Sequence, residues 1–192
     1  AARPAATDTA APELEPPGAR DASKVFGGVD VIGFTLQYEL HYTNVLMMLD
    51  LAAVPLRAAA RGEDDPLIIG GGPCALNPEP VADFFDLLVI GDGESAVLDL
   101  ADLMIGARRD GLSRRELLRR AASLPGIYVP ALYEESFEDG RYAGTVPVSG
   151  DAPARVGRRA EHSIDHAGHP CRPIVPLTET THDRLSVEIM RG

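Results

Sequence analysis

Three apolar runs, each followed by a segment with helical spacing, constrain the fold of this chain more than any other feature. The runs cover 29–36, 66–70 and 87–90 and are apolar at nearly every position. Strands that are covered on both faces of a parallel sheet have this composition. The repeated strand–helix units predict an α/β fold with a doubly wound parallel sheet and helices on both faces. Because three strands are few for such a sheet, we expect that its first strand is missing.

Composition and charge exclude several classes of function. Of the 192 residues, 45% are hydrophobic and 24% are charged, and the formal net charge is -11. No apolar run approaches the ~20 residues of a membrane helix. We therefore expect no membrane insertion. Because the negative charge of the protein repels phosphates, we also expect no direct nucleic-acid binding. The two cysteines, Cys74 and Cys171, form no paired motif, and no secretory signal is present, so we expect a cytoplasmic protein.

The chain divides by composition into five predicted segments. Residues 1–24 are rich in Ala and Pro and are predicted to be linker or disordered. The α/β domain covers 25–124, and an antiparallel β extension covers 125–160, with a hairpin turn at Asp139-Gly140 and an edge strand over 154–160. An extended linker covers 161–184, and a last strand covers 185–192.

Local signals refine the helices of the α/β domain. Thr43 is expected to cap the first helix, and a short helix is expected over 79–85. Ser113 and Glu116 form a capping box that opens a helix. The arginines of that helix (Arg114, Arg115, Arg119 and Arg120) are predicted to form a solvated face.

Two glycine-rich turns come after two of the predicted strands and are the main candidates for a binding site. The turns are Gly70-Gly71-Gly72-Pro73 and Gly91-Asp92-Gly93-Glu94. Ligands of open α/β sheets bind beyond the carboxyl ends of the strands, where glycine allows close approach and a helix N-terminus favours anions. The alternative is that these glycines only turn the chain tightly. Neither turn is a GxGxxG fingerprint or a P-loop.

Two polar groups admit a catalytic or metal interpretation beside a simpler one. Asp92 and Glu94 would suit acid–base or magnesium chemistry, but carboxylates near a helix N-terminus also stabilise its dipole, which we favour. His162, His166, His169 and Cys171 offer zinc-ligand types, but no second ligand cluster accompanies them, so we expect solvated side chains and no metal. Cys74 is expected to be a buried filler and not a nucleophile.

Four stretches in order carry a resemblance to a known family. They are VDVIGFTLQYELHYTNVLMMLDLAAVPL, PLIIGGGPCALNPEPVADFFDLLVIGDGE, GLSRRELLRRAASLPGIYVP and PIVPLTETTHDRLSVEIMRG. Over residues 26–192 the chain resembles the N-terminal part of radical S-adenosylmethionine (SAM) proteins that carry a Rossmann-like, cobalamin-binding-like domain. The last stretch resembles the strand that leads into the C-x3-C-x2-C cluster loop of those enzymes, so we expect a chain truncated just before that loop, at the first strand of the radical SAM barrel.

The resemblance implies roles for the matched positions. Thr35, Gly70, Gly71, Gly72 and Pro73 would lie along the nucleotide tail of cobalamin. Gly91, Gly93 and Glu94 belong to a turn that resembles the GEGE turn of the family. The D-x-H-x-x-G motif that ligates cobalt in many such domains is absent, and His41 comes after the wrong strand.

Two functions of different classes therefore remain. The resemblance implies an accessory region, inert by itself, whose partner is the radical SAM barrel of the intact protein. There a reduced 4Fe-4S cluster would donate an electron to SAM and cleave it to methionine and a 5'-deoxyadenosyl radical, and cobalamin is a candidate ligand of the accessory region. The alternative is a non-enzymatic α/β module that binds a nucleotide or a protein partner.

Overall fold

A four-stranded mixed sheet forms the centre of the computed structural model, which describes residues 28–161. The strands stand in the order β1 (Val31–Thr35), β2 (Leu67–Gly71), β3 (Leu87–Val89) and β4 (Ile127–Tyr128). The first three are parallel, as their apolar runs predict, and β4 is antiparallel to β3. The α/β class is confirmed, but the prediction of a purely parallel sheet is wrong because β4 returns beside β3.

Among residues 28–161, three α-helices accompany these strands. They are α1 (Tyr42–Leu51), α2 (Glu94–Asp110) and α3 (Arg114–Ala121). The prediction that Thr43 caps α1 is wrong, because a 3₁₀ turn at Glu39–His41 leads into the helix and makes His41 the N-cap. The capping box of α3 is confirmed in its first half, since the Ser113 hydroxyl accepts a hydrogen bond from the backbone N–H of Glu116 at 3.3 Å.

Four 3₁₀ segments besides that turn lie among the described residues. They cover Ala58–Ala60, Pro73–Leu76, Glu79–Phe84 and Pro130–Leu132. The helix predicted over 79–85 is therefore present as a 3₁₀ helix. Short 3₁₀ pieces are common connectors where prolines interrupt regular α-helix formation.

Helical segments cover both faces of the sheet and produce two clusters of buried side chains. On one face Ile68 and Leu88 pack with α1 and the 3₁₀ segments. On the other face Leu87 and Val89 pack with α2 and α3. Alternate strand residues point to opposite faces, so a strand buried on both sides must be apolar throughout, which is the case for β2 and β3.

A β-hairpin comes after the sheet and confirms the prediction made from Asp139-Gly140. Its strands are β5 (Tyr133–Glu138) and β6 (Arg141–Pro147), and the two turn residues have φ angles of 49° and 75°. The strand predicted over 154–160 is wrong: the segment makes a single bridge, between Gly91 and Arg159, because it crosses a strand end instead of running along a strand.

Several predicted segments lie outside the described residues. They are the N-terminal linker over 1–24, all but the first residue of the linker predicted over 161–184, the last strand over 185–192, and the group formed by His162, His166, His169 and Cys171. None of the helices within 28–161 has the length and hydropathy needed to cross a membrane.

Candidate functional site

The carboxyl ends of β1 and β2 bring the first group of predicted site residues together. Thr35 stands opposite Gly71 in the parallel register. Just beyond, the backbone N–H of Leu36 donates to the Gly71 oxygen at 2.7 Å, and the N–H of Cys74 donates to the Leu36 oxygen at 3.0 Å. The segments just past the two strands are thus joined by backbone hydrogen bonds, which fixes the turn at Gly72.

Packing of the chain on itself explains two glycines of this turn. A Cβ at Gly70 would lie 3.0 Å from the Phe85 ring, inside the core. Gly72 has a φ of 95°, and a Cβ there would lie 3.2 Å from the backbone of Leu36. Gly71 differs, since its nearest neighbour would be Val89 at 3.9 Å. Close packing therefore does not require glycine at 71, and Thr35 opposite it is exposed.

The carboxyl end of β3 is crossed by a later part of the same chain. We call residues 158–161 the strap. The Arg159 N–H donates to the Ile90 oxygen at 2.8 Å, and the Asp92 N–H donates to the Arg159 oxygen at 3.0 Å. Gly91 has a φ of 109°, and a Cβ there would lie only 2.0 Å from the Arg159 oxygen. Glycine at 91 is therefore required by the strap itself.

Side chains of the strap hold the first turns of α2. The Arg159 guanidinium donates to the Ser95 hydroxyl at 2.8 Å and to the Asp99 carboxylate at 2.6 Å. The Glu161 carboxylate accepts from the Ser95 N–H at 3.2 Å and from the Ser95 hydroxyl. A carboxylate at this position complements the positive end of the helix dipole. The place where the sequence predicts an anionic ligand group therefore holds a carboxylate of the chain.

The second predicted turn is thus built around the strap. The Asp92 carboxylate accepts a hydrogen bond from the Glu161 N–H at 2.8 Å. Gly93 is the N-cap of α2, and a Cβ there would meet no described atom within 4 Å. Glu94 is the first residue of α2, where its charge also complements the dipole. The ligand-binding role of both turns stays a prediction.

A buried ionic cluster lies at the amino ends of the strands, opposite the glycine turns, and the sequence did not predict it. Asp86 precedes β3, and its carboxylate lies 2.9 Å from Arg61 and 2.9 Å from Arg114. The same carboxylate accepts from the Ile68 N–H at 2.8 Å, which fastens β2 to the start of β3. The prediction of a solvated face is wrong for Arg114, whose side chain is 11% exposed. The sequence signal for this cluster was Asp86 itself, a charged residue within the apolar stretch 84–90.

Nearly every N–H donor of the Arg61 and Arg114 guanidiniums has a hydrogen-bond acceptor. Arg61 also donates to the backbone oxygens of Pro55, Leu56 and Phe84 at 2.6–2.9 Å. Burial lowers the pKa of the Arg61 guanidinium, and the Asp86 carboxylate opposes that shift. Because the Asp86 carboxylate is paired with two guanidiniums and the remaining donors have acceptors, we interpret this cluster as structural. A cavity of about 720 Å³ adjoins Arg114 at this edge, away from both glycine turns.

Cys74 is half-buried and lies against Tyr42 at the start of α1. Burial raises the pKa of the Tyr42 hydroxyl, and the neighbouring Cys74 raises it further. The prediction of a fully buried filler is therefore wrong in degree, and the absence of a nucleophilic role stays a prediction.

The residues of this chain do not fit an iron–sulfur cluster. Such a cluster is held by three or four cysteine thiolates, and the sequence contains two cysteines far apart. Among residues 28–161 no group of three His, Cys, Asp or Glu side chains is placed to hold a metal ion.

Comparison with known protein families gives a match. A family model described as "Radical SAM proteins, N-terminal" matches residues 14–130, which is more than half of the chain. No curated protein and no solved structure matches.

Proposed function

Since the chain belongs to the family of N-terminal regions of radical SAM proteins, we propose that it is an accessory region that positions a C-terminal radical SAM domain of the same protein. The family implies that a 4Fe-4S cluster and SAM serve the intact protein. The two cysteines of this chain do not supply the cluster, so the chain's own task is to bind and orient.

The strap is the observation that carries this proposal. It fastens the polypeptide to the β3 end and to α2 directly before residue 162, through backbone and side-chain hydrogen bonds together. Anchoring on two rigid elements fixes the position of the chain up to residue 161. A fixed exit supports a role in orienting a C-terminal domain, because small misplacements of reacting groups cost large factors in rate.

A finer proposal concerns a nucleotide-bearing ligand such as cobalamin in a Rossmann-like domain. Thr35 and Gly71 lie opposite each other at parallel strand ends and Thr35 is exposed, which supports contact with the tail of such a ligand. Contact with Gly91 would require the strap to move, because Arg159 covers Gly91, whereas no described atom covers Gly93. We therefore propose that, while the strap covers Gly91, the ligand binds on the β1–β2 side. No histidine of the protein would ligate the cobalt.

The strap also favours one alternative, a non-enzymatic module that binds a protein partner. Glu161 occupies the helix N-terminus that would otherwise attract a phosphate, so a closed strap leaves the module without its usual anion site. In that case the domain would act through its surface alone.

The test uses the full-length protein with Arg159→Ala, which removes the bonds to Ser95 and Asp99. If the strap orients the radical SAM domain, formation of 5'-deoxyadenosine should fall by roughly 10- to 100-fold at unchanged cluster content. The matched control is Arg158→Ala, because Arg158 makes no side-chain hydrogen bond or ion pair within residues 28–161. Equal activity of both variants and the native protein would contradict the positioning role.

Titration with hydroxocobalamin tests the ligand proposal separately. We expect the native protein to bind hydroxocobalamin without a histidine-ligated spectrum. We expect Thr35→Tyr to abolish this binding. A histidine-ligated spectrum that disappears on His41→Ala would contradict the assigned pocket. No binding to the full-length protein would favour the partner-binding alternative.

A further inference from the structure

The β5–β6 hairpin carries an exposed pair of aromatic rings near its turn. Tyr133, at the start of the hairpin, packs against the core of the domain. Phe137 and Tyr142 stand opposite each other and are 58% and 53% exposed, and their ring centroids lie 6.0 Å apart at 74°. We call these two residues the aromatic pair. A two-stranded hairpin has little stability by itself, so a cover over its exposed rings would stabilise it.

The hairpin is also acidic. Between Tyr133 and Tyr142 it carries four carboxylates and one guanidinium, that of Arg141. The carboxylates are those of Glu134, Glu135, Glu138 and Asp139. A cover over the aromatic pair should therefore combine an apolar surface with positive charge.

A later segment of the same chain has both of these properties. Pro170, Pro173 and Pro176 recur at every third position of 170–176, which we call the proline segment. This spacing favours a polyproline II helix, in which about three residues per turn bring the three rings to one edge. Such helices bind surfaces that are lined by aromatic side chains. Arg172 carries the only fixed charge between positions 166 and 176, and this charge is positive.

The proline segment comes soon enough after the strap to reach the hairpin. Arg159 of the strap lies against Gly126, where a Cβ would be 2.7 Å from the Arg159 Cβ. Gly126 comes just before Tyr128, whose ring centroid lies 4.8 Å from that of Tyr133 at the start of β5. Pro170 follows the last residue of the strap by nine positions, and a chain of that length spans up to about 30 Å. The base of the hairpin is therefore within reach.

From these observations we propose that the proline segment binds to the aromatic pair of its own chain. The proline rings would pack on Phe137 and Tyr142, and the Arg172 guanidinium would pair with carboxylates of the hairpin. A preformed polyproline II helix loses little entropy on binding, and its linkage to the strap raises its effective concentration. The contact gives the chain a second anchor after the strap. It does not depend on the role proposed for the glycine turns.

Nuclear Overhauser contacts in the 192-residue chain test the proposal. We expect contacts between the ring protons of the aromatic pair and the prolines of the proline segment. A variant that combines Pro170→Ala, Pro173→Ala and Pro176→Ala should lose them. Amide hydrogens of β5 and β6 should exchange at least about threefold faster in this variant, because the hairpin loses its cover.

Substitutions with matched controls test each side of the contact. Phe137→Ala should shift the resonances of the proline segment, whereas Tyr38→Ala, which removes a ring that is 65% exposed elsewhere in the fold, should not. Arg172→Gln should reduce the bound population about threefold, and Arg184→Gln, outside the proline segment, should leave it unchanged. Circular dichroism checks that each variant keeps its fold.

Two results would overturn the proposal. One is the absence of contacts between the aromatic pair and the prolines in the native chain. The other is a set of ring shifts that depend on protein concentration and persist after the prolines are replaced, which would assign the aromatic pair to a second copy of the chain.

Discussion

The backbone oxygen of Arg159 lies 2.0 Å from the place where a Cβ on Gly91 would stand. This approach joins the end of β3 to residues far along the chain and closes one part of the predicted ligand edge. The closure is made by ordinary hydrogen bonds, Arg159 N–H to Ile90 and Asp92 N–H to Arg159. It can therefore be opened by substitution.

Gly91→Ala should open the strap. The substitution adds a side chain at a φ of 109° and drives it into the Arg159 backbone, so we expect a loss of about 2–3 kcal/mol in the free energy of unfolding. Urea denaturation measures the loss. Gly93→Ala is the control, because its Cβ would meet open space, and it should change stability by less than about 0.5 kcal/mol. Equal stability of the two variants would mean that the strap is not closed in solution.

Gly72→Val tests the first turn in the same manner. Its φ is 95° and the added side chain would press on the backbone of Leu36, so we expect a cost of about 1–3 kcal/mol. Thermal unfolding monitored by circular dichroism is sufficient. Gly33→Ala serves for comparison, since β1 has space there. Unchanged melting of Gly72→Val would identify the turn as an ordinary loop.

Asp86→Ala should be among the most damaging changes in the chain. It leaves the guanidiniums of Arg61 and Arg114 buried without their shared carboxylate, which costs about 3–5 kcal/mol. Asp83→Ala removes an ion pair whose side chains are mostly exposed, so it should cost no more than about 1 kcal/mol. Denaturant midpoints that coincide for the two variants would contradict the buried cluster.

Tyr128 predicts a loss of stability in alkaline solution. Its pKa is raised in the folded state, by burial first and then by the bond to Glu79, from an ordinary value of 10.0. The folded protein therefore keeps a proton that the unfolded chain releases. The contribution of this proton to the free energy of unfolding is complete below about pH 10 and decreases as pH rises above it. Tyrosinate absorbance and unfolding curves above pH 10 should show this decrease, and Tyr128→Phe should reduce it. An unchanged slope in Tyr128→Phe would disprove the assignment.

The parts of the fold that sequence predicts are those with a local pattern. β2 and β3 are indicated by uninterrupted apolar runs, and the hairpin is indicated by Asp139-Gly140, whose positive φ angles the turn requires. The pairing of β4 with β3 is not indicated, because a strand of two residues carries no register signal.

The site was harder to predict because its contacts join distant segments. Nothing near Gly91 indicates that Arg159 crosses it, so glycines required by the strap look like glycines for a ligand. The buried role of Arg114 was hidden within a run of arginines, since helix charge patterns do not reveal which side chain meets a buried carboxylate.

The most direct test of the accessory role is anaerobic iron and sulfide reconstitution of the 192-residue chain beside the full-length protein, with a subsequent assay for SAM cleavage. We predict no stoichiometric cluster absorbance and no 5'-deoxyadenosine with the 192-residue chain, because two cysteines cannot hold the cluster. The full-length protein should show both. A stoichiometric cluster on the 192-residue chain, or no SAM cleavage by the full-length protein after full reconstitution, would contradict the account.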